Sequence, residues 1–239
     1  MIFGSRASYP ESSPLIQEER AMPTRSALCK AALGCAPFLI PIAAEADDSR
    51  RFDVGARFGV TLASGVPAND MPGYGVYGLY RLNDQWSVGL SLDQTKFDYE
   101  EPARRLGIPL DPDAEPVDAK AEAMILSASV ERSFSAPEAS REWFLGAAVG
   151  VADTDVPVVT GTTATGGTFE IHTEVDRDVI VSLLGGVRQR VGERWFAEFT
   201  LRADQHFAAW EPEDRVSGAT ARHDDYFAYG GYLGIGYRF

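Results

Sequence analysis

Apolar and polar side chains alternate along eight long segments of this chain. In the first of them, Arg51–Ser64, every even position from Phe52 to Leu62 is apolar, whereas most odd positions are small or charged. A strict period of two predicts a β-strand whose two sides face different surroundings. The eight predicted strands are Arg51–Ser64, Tyr74–Leu82, Trp86–Phe97, Ala121–Phe134, Arg141–Asp153, Phe169–Val191, Trp195–Gln205 and Tyr226–Phe239.

The last predicted strand, Tyr226–Phe239, indicates how the sheet is completed. Its odd positions are mostly apolar or aromatic, and its even positions are mostly small. A final strand at the edge of an open sheet would expose a long row of unpaired backbone groups. Closing the sheet into a barrel removes that edge, and in a lipid bilayer it is the only arrangement of strands that satisfies the backbone.

The connections between the predicted strands alternate in length. The segments 83–85, 135–140 and 192–194 are short, whereas 100–120, 154–168 and 207–225 are long and rich in Pro, Gly and acidic residues; 65–73 is intermediate. Short turns on one rim and long loops on the other are typical of outer-membrane barrels, with the turns in the periplasm and the loops outside the cell. Aromatic residues gather near the short turns, where they predict an interfacial girdle: Tyr80, Trp86, Phe134, Trp143, Trp195, Tyr237 and Phe239.

The less apolar side of the strands carries many charged residues: Asp53, Arg57, Arg81, Asp93, Glu131, Arg188, Glu198, Arg202 and Asp204. A soluble eight-stranded barrel, such as a lipocalin, would turn its apolar side inward. This many charges would not suit an apolar ligand cavity, so the pattern favours the opposite arrangement, with lipid outside and charge inside. If Val191 and Trp195 lie opposite each other across the 192–194 turn, Glu198 faces Arg188, and we predict that these two pair in the interior.

The first 46 residues have a different character. Residues 1–21 show no periodicity and are predicted to be a non-native extension that results from an early start codon. Residues 22–46 begin with a second Met and contain Arg25 and Lys30, the apolar run Ala31–Ala44 and an Ala-Glu-Ala site. This order predicts a secretory signal peptide, which leaves residues 47–239 as the outer-membrane β-barrel domain.

Two alternatives to the signal peptide are weaker. A lipoprotein signal ending at Cys35 is disfavoured because Leu33 lies one place too close to the cysteine. A buried N-terminal helix would be interrupted by Pro37 and Pro41, and a run of fourteen residues is too short to span a bilayer. Because Cys29 and Cys35 both lie in the leader, the mature protein would contain neither a disulfide nor a cysteine-ligated metal.

The formal net charge of the 239 residues is −13 at pH 7. Removing the leader leaves this balance unchanged, because residues 1–46 contain equal numbers of acidic and basic side chains. An acidic exported protein lacks the basic surface that nucleic-acid binding requires.

The chain ends in Gly234-x-x-Tyr237-x-Phe239, which resembles the C-terminal targeting strand of bacterial outer-membrane β-barrels. With the eight predicted strands, residues 50–239 resemble the small eight-stranded barrels of that superfamily: the OmpA transmembrane domain, OmpX, OmpW and the opacity-type proteins. The resemblance implies Sec-type export, integral insertion in the cell outer membrane as a monomer, and contact with lipid and lipopolysaccharide. It also implies that the β-barrel assembly machinery reads Gly234, Tyr237 and Phe239.

The sequence therefore predicts a barrel of structural or surface-interaction type, whose long acidic loops offer the surface for an extracellular ligand. Eight strands leave an interior just wide enough for side chains, so we expect paired charges to fill it. A narrow pore for small solutes is the first alternative, and an enzyme that modifies lipid A is the second. We assign no catalytic, cofactor-binding or metal-binding residue.

The three histidines are the candidate bases for the enzymatic alternative. His206 lies near the outer end of the seventh predicted strand, where a base would meet lipid, but deacylase barrels carry a His-x-Ser pair and Ala208 stands at the serine position. We therefore predict an ordinary interfacial residue. The triplet His223-Asp224-Asp225 contains ligand types for a divalent cation, but an isolated polar triplet in a loop is usually solvated. His172 belongs to no such pattern.

Overall fold

The computed structural model describes residues 52–64, 68–69, 71–99, 102–110, 119–136 and 139–239. The predicted N-terminal extension, the signal peptide, both cysteines and the acidic stretch 111–118 lie outside these residues. Within the described part of the chain there are twelve β-strands and one helical turn, Pro102–Arg105. The strands are β1 (Phe52–Ser64), β2 (Ala68–Asn69), β3 (Met71–Arg81), β4 (Trp86–Tyr99), β5 (Ala119–Ser133), β6 (Arg141–Asp155), β7 (Val159–Thr162), β8 (Thr168–Val175), β9 (Asp178–Val191), β10 (Trp195–Phe207), β11 (Trp210–Asp214) and β12 (Tyr226–Arg238).

Eight of these strands form a closed ring in the order β1-β3-β4-β5-β6-β9-β10-β12, and β12 pairs with β1 to close it. Each strand of the ring pairs with its two neighbours, and all eight pairings are antiparallel. This arrangement confirms the predicted eight-stranded, up-and-down β-barrel. Val191 lies opposite Trp195, and Glu198 lies opposite Arg188, as the short turn predicted.

The prediction of one continuous strand over Phe169–Val191 is wrong. The structure divides it into β8, which belongs to a separate three-stranded sheet with β7 and β11, and β9, which belongs to the barrel. Apolar residues stay on odd positions across the break, so the period of two continues although the chain leaves one sheet and enters another. The segments 154–168 and 207–225 are likewise more regular than predicted, because each contains a strand of the second sheet.

The two sides of the barrel wall have the predicted orientation. Leu90, Val149 and Leu201 point away from the barrel, and each is more than half exposed. The predicted interior charges point inward, where Asp53 and Arg188 are almost fully buried. Because successive side chains of a strand point to opposite faces, this one choice of face determines the orientation of every residue in the ring.

The barrel has two different ends. At the turn end are the three short connections, the beginning of β1 and the end of β12; at the loop end are the longer connections. The predicted aromatic residues lie at the turn end, and most of them are at least 40% exposed. Trp195 and Tyr237 pack edge to face with their ring centroids 5.1 Å apart, and Tyr237 packs on Phe239 at 4.8 Å.

One position in the barrel wall, Gly186, has no room for a side chain. Gly186 faces the interior from β9, opposite Phe144 on β6 and Thr200 on β10. A Cβ atom at this position would overlap the carbonyl oxygen of Phe199 and would lie 2.8 Å from the Phe144 ring. The neighbouring Gly185 faces outward, and there a Cβ atom would lie 3.4 Å from the nearest atom, in Leu145.

Gly186→Ala is therefore expected to destabilise the barrel by about 1–3 kcal/mol, the usual cost of overpacking a filled interior. The matched variant Gly185→Ala has room for its methyl group and should change the free energy of unfolding by less than about 0.5 kcal/mol. Equilibrium unfolding by urea in phospholipid vesicles, followed by tryptophan fluorescence, compares the two. Equal stability of the two variants would contradict the close packing around Gly186.

Candidate functional site

Ion pairs occupy the barrel interior, and the first group lies near the turn end. Asp53 accepts hydrogen bonds from Arg81, at 3.0 Å, and from Arg238, at 2.8 Å. Glu142 accepts from the same two guanidinium groups, at 2.8 and 3.3 Å. Two carboxylates and two arginines thus form a closed cycle whose charges balance.

The second group surrounds Arg188, which is 4% exposed. Its Nε donates to Glu198 Oε2 at 2.5 Å and its Nη2 to Glu131 Oε2 at 2.7 Å, which confirms the predicted pair with Glu198. The guanidinium carbon lies 4.0 Å from the centroid of the Phe144 ring. Tyr77 donates its hydroxyl hydrogen to the same Glu198 oxygen at 3.2 Å. A single cation therefore compensates two buried carboxylates.

The third group lies nearer the loop end. Arg57 binds Asp93 through two parallel hydrogen bonds, at 2.9 and 2.6 Å, which is the strong bidentate geometry. Arg202 donates to Asp204 at 2.6 Å and to Ser182 at 3.0 Å, and its Nη1 lies 3.4 Å from Asp93 Oδ2. Asp93 thus links two arginines whose strands, β1 and β10, flank β12.

Little space remains between these groups. Two cavities along the interior have volumes of about 20 Å³ each. A cavity of that size holds on the order of one water molecule. An unpaired charge in such surroundings would be very costly. The barrel can therefore bury these charged side chains only because they are paired.

A histidine–aspartate pair follows at the loop end of the interior. His206 Nδ1 lies 2.6 Å from Asp178 Oδ2, and both residues are at least 95% buried. The imidazole stacks on the Tyr226 ring, with a centroid distance of 4.1 Å and an interplanar angle of 11°. The prediction that His206 is an interfacial residue is therefore wrong. Its even position in β10 turns it inward, where it contacts no lipid.

A cap, formed by residues 102–110, 156–177 and 208–225, packs on the loop end of the barrel. Its three strands, in the order β11-β8-β7, share an apolar cluster with inward side chains of the barrel strands. Trp210 lies at the centre of the cluster, 2% exposed, with its ring centroid 5.8 Å from that of Phe97, 5.7 Å from that of Tyr99 and 6.4 Å from that of Tyr226. The cap therefore covers the His206–Asp178 pair with apolar side chains.

Asp214 holds the hairpin that follows β11. Its carboxylate accepts hydrogen bonds from the backbone N–H of Glu170 at 2.9 Å, and from the backbone and hydroxyl of Ser217 at 3.0 and 2.5 Å. Burial by itself would raise the pKa of Asp214, but these donors bind the ionised form, and the pKa is lowered. The carboxylate therefore stays charged and fixes the geometry of the hairpin.

The outer face of the cap sheet is acidic. Glu170, Glu174, Glu211 and Glu213 are all exposed on it, and Glu174 lies directly opposite Glu211. Like charges at opposite positions of neighbouring strands repel each other. Arg222 relieves part of this repulsion because it donates to Glu211 and to Asp224, each at 2.6 Å.

The remaining candidate residues do not converge on a site. His172 Nε2 lies 2.6 Å from Glu170 Oε1 on the outer face of the cap. In the triplet 223–225, His223 pairs through its backbone with Trp210, whereas the Asp224 carboxylate is bound by Arg222. No group of three His, Cys, Asp or Glu residues suited to a metal ion occurs in the described residues.

Several residues of the interior escaped the sequence analysis. They belong to the ion-pair groups and are Glu142, Arg238 and Tyr77. The alternation of the strand predicts that each faces inward, because each lies next to an outward apolar residue. Asp178 has the same signal for its inward orientation, because an outward apolar residue follows it. Its pairing with His206 depends on where β9 begins, and that boundary was not visible in the sequence.

No helix of the described residues has both the length and the apolar character needed to cross a membrane. No protein-family model matches the chain, and no curated protein matches it. Solved structures do match. The outer membrane protein OprG from Pseudomonas aeruginosa has a TM-score of 0.56 and 9% sequence identity, over 79% of this chain and 96% of its own. Neisserial surface protein A has a TM-score of 0.49 and 14% identity, over 80% of this chain and 98% of its own.

The likeness to OprG shows the fold: a small eight-stranded barrel of the outer-membrane type. The distribution of side chains agrees with that fold, because the apolar residues face outward and the ionised residues face inward. A closed barrel with this surface is an integral protein of the outer membrane.

Proposed function

We propose that this outer-membrane barrel is a structural or surface-interaction protein that conducts no solutes. The observation that carries the proposal is the filled interior: three groups of paired charges and the His206–Asp178 pair lie one above another beneath the apolar cap. Hydrated solutes would have to separate these ion pairs and also displace the cap. The ion pairs of the interior would then stabilise the barrel, and residues on its surface would make the functional contacts.

The proposal places the turn end in the periplasm and the cap outside the cell. Short turns on the periplasmic side and longer connections outside are typical of such barrels. The outer face of the cap would then present Glu170, Glu174, Glu211 and Glu213 to the surroundings. A positively charged partner would relieve the repulsion between Glu174 and Glu211, so we propose a cationic extracellular ligand for this face.

Export and assembly of the barrel would depend on residues 22–46 and on β12. Residues 22–46 would direct Sec-type export and be removed, and residues 1–21 would not belong to the natural chain. The assembly machinery would read Gly234, Tyr237 and Phe239 in β12, the strand that closes the ring against β1. The outward face of the barrel would contact lipid and lipopolysaccharide, and the protein would be a monomer.

The test is solute flux through vesicles that contain the folded protein. We expect the unheated protein to migrate as a compact band in a detergent gel and the boiled protein to migrate as an unfolded chain, because the closed ring leaves no strand edge at which unfolding can begin. Vesicles with this compact form should swell in small sugars no faster than empty vesicles. Swelling with the compact band present would contradict the proposal and favour a narrow pore.

A lipid A-modifying enzyme is a separate alternative. His206 does not support it, because the imidazole binds Asp178 inside the barrel and does not face the lipid. Altered lipid A acylation on loss of the protein, reproduced by His206→Ala, would favour this alternative and contradict a purely structural role.

A further inference from the structure

We propose that Arg132, with the flanking rings of Trp86 and Phe134, binds the phosphate of an anionic glycerophospholipid in the leaflet at the turn end. This inference rests on the proposed orientation, in which the turn end faces the periplasm. It adds a lipid site on the outer wall, distinct from the interior and from the cap.

The arginine is held by aromatic rings on the lipid-facing side of the wall. Arg132 is exposed on β5 and lies directly opposite Trp86 on β4. Its guanidinium carbon is 5.6 Å from the centroid of the Trp86 ring and 5.4 Å from that of Phe134. Both distances fall within the range of cation–π attraction. The rings themselves are 40% and 60% exposed, so they border the site without covering it.

The depth of Arg132 suits a lipid headgroup. Moving along β5 from the centre of the barrel, Leu126 and Val130 point outward into the apolar band, and Arg132 is the first charged outward residue beyond them. Trp143, which is 56% exposed on β6, lies at the same rim. Aromatic residues mark the boundary between hydrocarbon and headgroups, and a long basic side chain at that boundary extends its charge into the headgroup layer.

The guanidinium of Arg132 differs from those of two other exposed arginines at this end. Arg141 donates to Gln189 Oε1 at 3.2 Å, and Arg194 donates to the Tyr237 hydroxyl at 3.0 Å. Within the described residues, no carboxylate forms an ion pair with Arg132. Contact with ring faces leaves the N–H groups at the edge of the guanidinium plane available, and their fork matches two oxygens of a phosphate.

The surface beside Arg132 explains why the ligand would be a phospholipid and not free phosphate. Leu145 lies opposite Arg132 on β6 and is 58% exposed, and Val88 and Leu90 continue the apolar surface on β4. An acyl chain that descends from a phosphate at Arg132 would contact these side chains. The rings therefore orient the arginine, the arginine binds the headgroup, and the apolar wall binds the chain.

The experiment measures retained lipid by native mass spectrometry. The full-length protein is folded in vesicles of equal phosphatidylglycerol and phosphatidylcholine and then released into mild detergent. We expect the wild type to retain phosphatidylglycerol in preference, and Arg132→Gln to lower that retention about fivefold, since a charge-assisted contact is lost. Arg141→Gln removes the same charge from the same rim and should leave the preference intact. Added inorganic phosphate should not compete.

Three results would overturn the inference: an unchanged preference in Arg132→Gln, an equal loss in Arg141→Gln, or displacement of the lipid by inorganic phosphate. The compact gel band is measured in every sample. A wild type that shows this band but no lipid preference contradicts the lipid site and leaves the proposed function intact. A wild type without the compact band contradicts the membrane barrel itself.

Discussion

Replacing Arg188 by alanine is expected to lower the free energy of unfolding by about 3–5 kcal/mol, the cost of removing one partner from a buried ion pair. Arg188 donates to both Glu131 and Glu198, and the three residues are each less than 10% exposed. Without the guanidinium, two buried carboxyl groups would lose both their hydrogen-bond donor and their opposite charge. Urea unfolding in phospholipid vesicles, followed by tryptophan fluorescence, measures the loss.

Two further variants test whether uncompensated buried charge causes this loss. Arg222→Ala removes an arginine that also binds two carboxylates, Glu211 and Asp224, but these groups are exposed. Its loss should leave the urea midpoint of unfolding close to that of the wild type. In the triple variant Arg188→Met, Glu131→Gln, Glu198→Gln the buried charges are removed together, so most of the lost stability should return. If the triple variant were as unstable as Arg188→Ala, uncompensated charge would not be the dominant contribution, because methionine also restores most of the packing of the arginine stem.

The pairing at the centre of this network could be predicted because it depends on local information. A three-residue turn between two clearly alternating strands determines which residues face each other, and the pair Val191–Trp195 leads directly to Arg188–Glu198. The third member, Glu131, could not be assigned in the same way. Its distance from Arg188 depends on the stagger of β5, β6 and β9 around the ring, and that stagger is a property of barrel closure.

The cap was missed because its sequence follows the same rule as the wall. In β8 and β11, apolar and polar residues alternate as they do in a membrane strand, so the pattern predicts one wall strand over Phe169–Val191, although Phe169 and Ile171 are buried beneath the cap sheet. The charged triplet Asp176-Arg177-Asp178 marks the point where the chain changes sheets. Trp210 is the largest apolar side chain of the segment 207–225, and it was the clearest sign of a core in a stretch that is rich in acidic and small residues.

The error at His206 has the same origin. The predicted strand ended at Gln205, so His206 was placed outside the alternation and assigned to the interface. The structure extends β10 to Phe207, and the even position of His206 then turns it inward, towards Asp178. A strand end shifted by two residues thus changed the predicted surroundings of this side chain from lipid to a buried carboxyl group.

Leu201→Arg is expected to lower the free energy of unfolding in a bilayer by about 2–4 kcal/mol, the cost of an arginine facing hydrocarbon at the midplane of a membrane barrel. Leu201 lies at the middle of β10, points outward and is 58% exposed. Its neighbours across both adjacent strands are glycines, Gly185 and Gly231, so a new guanidinium would find no partner on the wall. Urea unfolding in phospholipid vesicles gives the difference from the wild type.

The dependence on depth makes this result specific to a bilayer. Phe207→Arg places the same charge at the loop end of the same strand, where the cost of the charge should fall to about 0–1 kcal/mol. Val216→Arg places it on the exposed hairpin of the cap and should be close to neutral. If the outer wall faced water, each of these three arginine substitutions would leave the free energy of unfolding almost unchanged. Equal stabilities of Leu201→Arg and Val216→Arg would therefore show that the outward apolar band does not contact hydrocarbon, and the membrane assignment would fail with it.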